Sequence, residues 1–187
     1  MHSLVIFASG TGTNTRAIID HFKKTGIAKV SLIVSNKADA GVLNIAIQEE
    51  IPFLVIDRKT IHETLLIDQL QSYQPSLIIL AGFLWQLPAS IIHSFLGRII
   101  NIHPALLPHF GGKGMYGDRV HTAVLASGRP ESGITIHFVN ENYDEGQIIL
   151  QAHCEVLEND TVLSLAQRIH HLEHFYFPQV IEFLLSA

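Results

Sequence analysis

The chain has one cysteine, Cys154, one tryptophan and two methionines among its 187 residues. A single thiol closes no internal disulfide and rules out the four-thiol zinc patterns, which fits a reducing, cytoplasmic setting. Positive charge is short as well. Twelve Lys and Arg stand against 17 Asp and Glu, for a net charge of -5, so the chain is not expected to hold nucleic acid by neutralising phosphates. No segment approaches the roughly 18 uninterrupted apolar residues of a membrane span. The opening MHSLVIFASGTG has neither the basic region nor the apolar length of a signal peptide. Two motifs are missing too: G-x-S-x-G, the usual α/β-hydrolase nucleophile elbow, and the metalloprotease order H-E-x-x-H. Repeats, low-complexity tracts and linkers are likewise absent, and the length suits one domain over 1–187.

What is present is a recurring alternation. Short apolar runs bounded by turn residues lie at Leu4–Ala8, Val30–Ser35, Phe53–Ile56, Leu77–Ala81 and Ile99–Ile102. Helix-patterned stretches separate them, at Asn14–Lys24, Val42–Glu50, Ile61–Tyr73 and Pro88–Phe95. Runs apolar on both faces belong inside a sheet, and the intervening segments are long enough for crossovers. The expectation is an α/β fold, an open and mainly parallel twisted sheet with helices on both faces. After Gly117 the pattern becomes a helix near Val120–Ser127, two strands, SGITIHFV and GQIILQAHCEV, joined across NENYDE, and a final helix over Thr161–Leu185. Asp160 or Thr161 is its expected cap, and Pro178 a possible bend.

Three constellations carry polar groups where such a fold gathers ligands. In FASGTGTNTRAI, Gly10 and Gly12 permit tight turns, while Thr13 and Asn14 stand beside the open N–H groups of a helix start. That suits a compact phosphate, or simply a strand–helix turn. For a dinucleotide the third glycine is missing at Thr15, and the second strand ends in SNK rather than an acid. In GRIINIHPALLPHFGGKGMYG, a strand ends on Asn101, His103 and Pro104 and leads into a loop with four glycines. Either neighbours cap this polar pair, or the strand presents it to a substrate at the sheet's carboxyl edge. In HFVNENYDEGQIILQ, Asp144 is an acidic turn residue, or, if the loop folds over His103, the group that raises the imidazole pKa. His170, His171 and His174 include an i,i+4 pair beside Glu173, and solvated helix residues are the simpler reading than a metal site. Cys154 has no evident activating base.

The strings SGTGTNTRAI, VSNKADA, LAGFLWQL, GRIINIHPALLP, GITIHFV, DEGQIILQ and LEHFYFP occur in this order over nearly the whole chain. Together they resemble the glycinamide ribonucleotide formyltransferase family of purine biosynthesis. The resemblance implies a Rossmann-like fold, 10-formyltetrahydrofolate as co-substrate, glycinamide ribonucleotide as acceptor, no metal, and a monomer or homodimer. It implies that Asn101, His103 and Asp144 are catalytic, that Gly12, Thr13 and Asn14 bind the phosphate, and that Glu173 places the glycinamide end. It further implies a folate pocket built from Leu84, Trp85, Gln86 and Leu87 together with Asn101 and the loop carrying Val139, Asn140 and Glu141. Trp85, Gln86 and His170 depart from the family pattern, GGKGMYGDRVH is longer than in many members, and an arginine that meets the folate tail in some relatives has no match around Lys59–Glu63.

In such a reaction the acceptor amine is itself the nucleophile. The protein then has to orient two substrates and stabilise an oxyanion, which Asn101 and His103 are suited to do. Formyltetrahydrofolate hydrolases and methionyl-tRNA formyltransferases share the core but are expected to carry a further domain, for which the chain has no room. A non-catalytic nucleotide-binding module does not need the catalytic set, and a dinucleotide-dependent oxidoreductase needs a fuller glycine pattern.

Overall fold

The computed structural model describes residues 1–186. Five parallel strands, β1 (His2–Phe7), β2 (Ala28–Ser35), β3 (Phe53–Val55), β4 (Leu77–Leu80) and β5 (Ile99–His103), are continued by two antiparallel ones, β6 (Glu131–Phe138) and β7 (Ile148–Glu155). Their order across the sheet is β3-β2-β1-β4-β5-β6-β7. The helices are α1 (Thr13–Thr25), α2 (Gly41–Gln48), α3 (Thr64–Ser72), α4 (Ala89–Ser94), α5 (Asp118–Ala126) and α6 (Val162–Ser186). The α/β class and the mainly parallel sheet expected from the sequence are therefore present.

Period-two alternation divides each central strand between two cores. Leu4, Ile6 and Ala8 face one apolar layer with Ile18 of α1, Val120 of α5 and Leu165 of α6. Val5 and Phe7 face the other, with Leu66 and Leu70 of α3 and Ile91 of α4. Both faces of β1 and β4 are thus buried, which is why these strands read as unbroken apolar runs.

Boundaries depart from expectation where side chains compete for the backbone. The helix expected over Ile61–Tyr73 is a 3-10 turn, Thr60–His62, followed by α3, with Glu63 extended between them. Asp57 causes the break. Its carboxylate accepts the N–H groups of Lys59 and Thr60, closing a separate turn. The last helix starts on a reciprocal cap, in which Thr161 Oγ1 accepts the Ser164 N–H at 3.1 Å and Ser164 Oγ accepts the Thr161 N–H at 2.9 Å. Asp160 instead holds Arg168. Pro178 lies within α6, buried, and the helix runs through it as one element. Among the described residues, no helix is long and apolar enough to cross a membrane.

Strand order reverses at β1, since β2 and β3 extend to one side and β4 and β5 to the other. The connections after β1 and β4 therefore diverge and leave a crevice at the carboxyl edge. Gly12 closes the floor of that crevice at φ 82°, with an ideal Cβ only 2.9 Å from the Val42 Cα of α2. Replacing it with alanine is expected to cost about 1–3 kcal/mol through left-handed strain and overlap with α2. A urea denaturation midpoint unchanged in Gly12→Ala would contradict this packing.

Candidate active site

A cavity of about 540 Å³ opens at the reversal point. Five segments wall it: Gly10–Asn14, Gly82–Leu84, Asn101–Pro104, Gly112–Gly117 and the Tyr143–Asp144 pair, with His170 and Glu173 of α6 closing one side. Asn101, His103 and Asp144, 43 residues apart in sequence at the extremes, meet there, as do the glycines after β1.

The antiparallel pairing of β5 with β6 sets their register, placing Asn101 opposite His137 and His103 opposite Thr135. Thr135 braces the turn that follows β5, accepting the Leu107 N–H at 3.0 Å and donating to the Ala105 carbonyl at 2.7 Å. His137 donates from Nδ1 to the Phe138 carbonyl at 2.9 Å. Its Nε2 is therefore an acceptor, and it takes an Asn101 Nδ2–H at 3.1 Å. The second Asn101 N–H points to Asp144 Oδ1 at 3.4 Å, too long for a strong bond.

The β6–β7 loop does fold over His103, bringing Asp144 Oδ2 to 3.5 Å from His103 Nδ1. His103 Nε2 donates to the Phe110 carbonyl at 2.8 Å. Both residues that touch this ring, Asp144 and Phe110, have left-handed backbones, with φ 55° and 58°. These are uncommon conformations for side-chain-bearing residues, and tertiary contacts hold them here.

The electrostatic consequence differs in sign from the sequence-based expectation. Burial, at 3% exposure, pushes the His103 pKa below its ordinary value and outweighs the opposing pull of Asp144 and of the Phe110 carbonyl. The imidazole rests neutral. Asp144 loses water as well, which alone would raise its pKa. The His137 ring, its Nε2 3.6 Å from Oδ1, the His103 ring and the Gly112 N–H, at 2.9 Å, outweigh that and hold it below the usual carboxylate range. A neutral imidazole beside an ionised carboxylate is the resting arrangement.

At the other side of the cavity, α1 begins on Gly12 with no side-chain cap and no acid in its first turn, so its N–H groups are open. Asn14 is partly turned away from the role expected for it, because its Nδ2 donates to Glu173 Oε2 at 2.8 Å while its Oδ1 is buried without a partner. Glu173 is buried, and burial raises its pKa against the lowering effect of that bond and of His170. The SNK end of β2 also finds its reason here. Asn36 accepts a hydrogen bond from Ser9 Oγ, which in turn receives the Leu84 N–H at 2.9 Å, tying the loops after β1, β2 and β4 together.

Of the expected folate set, Asn101 and Leu84 line the cavity. Leu87 is buried in the α3–α4 core, and Trp85 and Val139 pack against that core. Gln86 donates to the Glu141 carbonyl, Glu141 meets His93, and Asn140 closes a turn on the Asn142 N–H. These six are drawn away because the loop after β6 packs onto α4. In their place Phe83, Tyr143 and Arg58 reach the cavity, with the Arg58 guanidinium 4.0 Å over the Trp85 ring.

Several site residues escaped the sequence reading. His137 is legible only once β6 is paired with β5, although Thr135 and His137 do alternate with Ile134, Ile136 and Phe138 in the second half of the strand. His121 is 2% exposed, lines the cavity and leaves Nδ1 unpartnered. Lys113 and Arg119 line it too. The rings of His170 and His174 stack at 6.1 Å. Among the described residues, no group of three or more His, Cys, Asp or Glu side chains is placed to hold a metal ion.

Comparison with known proteins places these features in a lineage. The formyl transferase family model matches residues 2–181. The chain is 43% identical over 185 residues to the chloroplastic phosphoribosylglycinamide formyltransferase of Arabidopsis thaliana, covering 95% of this chain and 63% of that protein. It is thus shorter than two thirds of the plant relatives it matches, at 63% and 60% of their lengths. The phosphoribosylglycinamide formyltransferase of Bacillus subtilis is 37% identical over 192 residues, covering 100% of this chain and 96% of that protein. Among solved structures, glycinamide ribonucleotide transformylase 1 from Symbiobacterium toebii superposes with a TM-score of 0.91 at 35% identity, covering 100% of this chain and 88% of that one.

Burial lowers the pKa of both His103 and His121 from 6.5, so the unfolded chain binds protons that the folded one refuses. Stability from these rings is present above pH 6.5 and is lost as pH falls through that value toward the folded pKa. His121→Gln is expected to flatten the decline in urea midpoint between pH 7.5 and 5.5. Identical slopes for variant and parent would refute the burial assignment.

Proposed function

The chain belongs to the formyl transferase family, and on that premise we propose that it moves the formyl group of 10-formyltetrahydrofolate to the amine of glycinamide ribonucleotide. The products are formylglycinamide ribonucleotide and tetrahydrofolate, in purine biosynthesis. One observation carries the reading: Asn101, His103 and Asp144 converge beside a cavity whose far wall is an uncapped helix start. We take residues 1–187 as one catalytic unit.

The acceptor amine attacks the formyl carbon, and the carbonyl oxygen takes the negative charge. The Asn101 N–H held only loosely, at 3.4 Å from Asp144, is the one free to turn to that oxygen. His137 keeps the amide nitrogen, rather than its oxygen, on this side. As charge develops, a neutral His103 becomes more basic. It can then accept the proton the amine loses and return it to the folate nitrogen as the carbon–nitrogen bond breaks. Asp144 stays ionised and stabilises the transient imidazolium. No net proton is consumed.

The ribonucleotide phosphate fits the open N–H groups of α1, beside Gly10, Gly12 and Thr13. Glu173, fixed by Asn14, lines the same cavity as His103, and we assign it the glycinamide end. The folate enters past Leu84 and Phe83, with Trp85, Gln86, Leu87, Val139, Asn140 and Glu141 as the layer behind.

Purified protein supplied with 10-formyltetrahydrofolate is expected to release tetrahydrofolate only when glycinamide ribonucleotide is added, one for one with formylated product. Release without acceptor would instead mark a hydrolase. Asn101→Ala, His103→Ala and Asp144→Asn are each expected to lower kcat by about 10²–10³, the scale of a lost oxyanion donor. Near-native turnover in both His103→Ala and Asp144→Asn would overturn the mechanism.

A further inference from the structure

Resting on the reading that His103 relays the proton from the amine to the folate nitrogen, we propose that the turn Phe110–Gly112 is the positioning element of that relay. The Phe110 carbonyl fixes the ring proton on Nε2 and leaves Nδ1, on the Asp144 side, as the nitrogen that receives the proton.

A neutral imidazole carries one N–H, and the partner of one nitrogen decides which nitrogen holds it. A backbone carbonyl only accepts, so the 2.8 Å contact between Nε2 and the Phe110 carbonyl places the hydrogen on Nε2. Nδ1 then turns a lone pair toward Asp144 Oδ2 with no proton between them, which is why the two stand at 3.5 Å and not at hydrogen-bond distance. Nδ1 makes no hydrogen bond within the protein, yet it is not sealed from solvent as His121 Nδ1 and His174 Nε2 are. Asp144 lines the cavity and Phe110 does not, so the open nitrogen lies on the cavity side of the ring.

Two residues on, the same turn reaches the carboxylate, where the Gly112 N–H donates to Asp144 Oδ2 at 2.9 Å. One turn therefore grips both base and carboxylate. No side chain fits between the two grips, since a Cβ at Gly111 would stand 2.5 Å from Leu107 Cδ2 and 3.3 Å from Asp144 Cβ. Phe110 aims its carbonyl from a left-handed backbone, φ 58°, and Arg129 of the α5–β6 connection lies against its ring, 5.9 Å from guanidinium to centroid, and meets the His109 ring. When the amine adds to the formyl carbon, its N–H bond breaks and the proton passes to the Nδ1 lone pair. The imidazolium so formed donates from Nδ1 to Asp144 and from Nε2 to Phe110, so both its hydrogens have acceptors already in place. The proton then moves from Nδ1 to the folate nitrogen, which takes the electron pair of the breaking carbon–nitrogen bond. A ring protonated on Nδ1 would instead set Nε2 against a carbonyl oxygen and have no lone pair for the amine.

The first test needs no turnover. Long-range proton–nitrogen-15 coupling spectra of His103 in the parent protein, recorded above the pH at which the ring titrates, distinguish the two tautomers. Nε2–H is expected, and an Nδ1–H ring would overturn the proposal. Two variants then separate the backbone from the side chain. Phe110→Val puts a β-branched residue at a left-handed position, whereas Phe110→Asn removes the same ring but tolerates that backbone. Phe110→Val is expected to lose the single tautomer and to lower kcat by about tenfold or more, out of the roughly 10²–10⁴ that a positioned base contributes, with KM within about twofold of the parent. Phe110→Asn should recover most of both. Equal losses in the two variants would trace the effect to the missing ring and overturn the role of the carbonyl, as would a change confined to KM. The parent spectrum decides even if Phe110→Val does not fold. An Nε2–H tautomer in a protein that transfers no formyl group would sink the proposed reaction and leave the role of the turn standing. Formyl transfer by a His103 protonated on Nδ1 would do the reverse.

Discussion

Asp144 is the constraint around which the site is arranged. Its carboxylate is largely removed from water and is reached by four groups from three parts of the chain: His103 and Asn101 of β5, His137 of β6 and the Gly112 N–H of the glycine loop. A desolvated carboxylate without such partners would protonate, and its neighbours would lose their reason to point inward. With them it stays ionised, at the expense of a left-handed backbone at Asp144 itself. The glycine that follows closely, Gly146, has no room for a side chain, since a Cβ there would overlap the Phe138 carbonyl. Close approach of the β6–β7 loop to β6 thus comes from the backbone, and the carboxylate is delivered by it.

The same arrangement separates binding from chemistry. Strand reversal at β1 opens one crevice, but the layers flanking it differ. The α1, α5 and α6 face brings an acid-free helix start and Glu173, while the α3 and α4 face brings Leu84, Phe83 and Arg58. β5 ends between them. In the proposed reaction two substrates approaching from opposite faces of the sheet would meet at Asn101 and His103, which is what an amine attacking a formyl carbon requires.

The fold was legible because both cores draw on the same strands. Alternation at Leu4, Val5, Ile6 and Phe7 produces an unbroken apolar run, and such runs separated by helix-length segments leave few topologies open. Gly12, Asn101, His103 and Asp144 were also legible as candidates, Asn101 and His103 as polar residues closing an apolar strand, Gly12 and Asp144 as turn residues in the connections after β1 and β6. His137 and His121 were not. One depends on the register of an antiparallel pair, the other on which face of α5 meets the sheet, and neither is written in local spacing. Of the folate set expected from the sequence, Leu84 and Asn101 line the cavity and the other six residues do not. Leu87, three residues after Leu84, turns into the α3–α4 core, and Arg58 reaches the cavity from just before the Lys59–Glu63 stretch searched for an arginine. The protonation state of His103 was misjudged because proximity to a carboxylate was weighed without burial, and at 3% exposure burial is the larger effect.

A neutral imidazole held against an ionised carboxylate is therefore the central claim, and the ring can be observed directly. Nitrogen-15 NMR titration of His103 in the parent protein and in Asp144→Asn follows the protonation of that one side chain. The ring is expected to titrate below 6.5 in the parent, and lower still once the carboxylate that favours its charged form is gone. A His103 that titrates above 6.5, or one indifferent to Asp144→Asn, would contradict the electrostatic arrangement on which the proposed proton transfer depends.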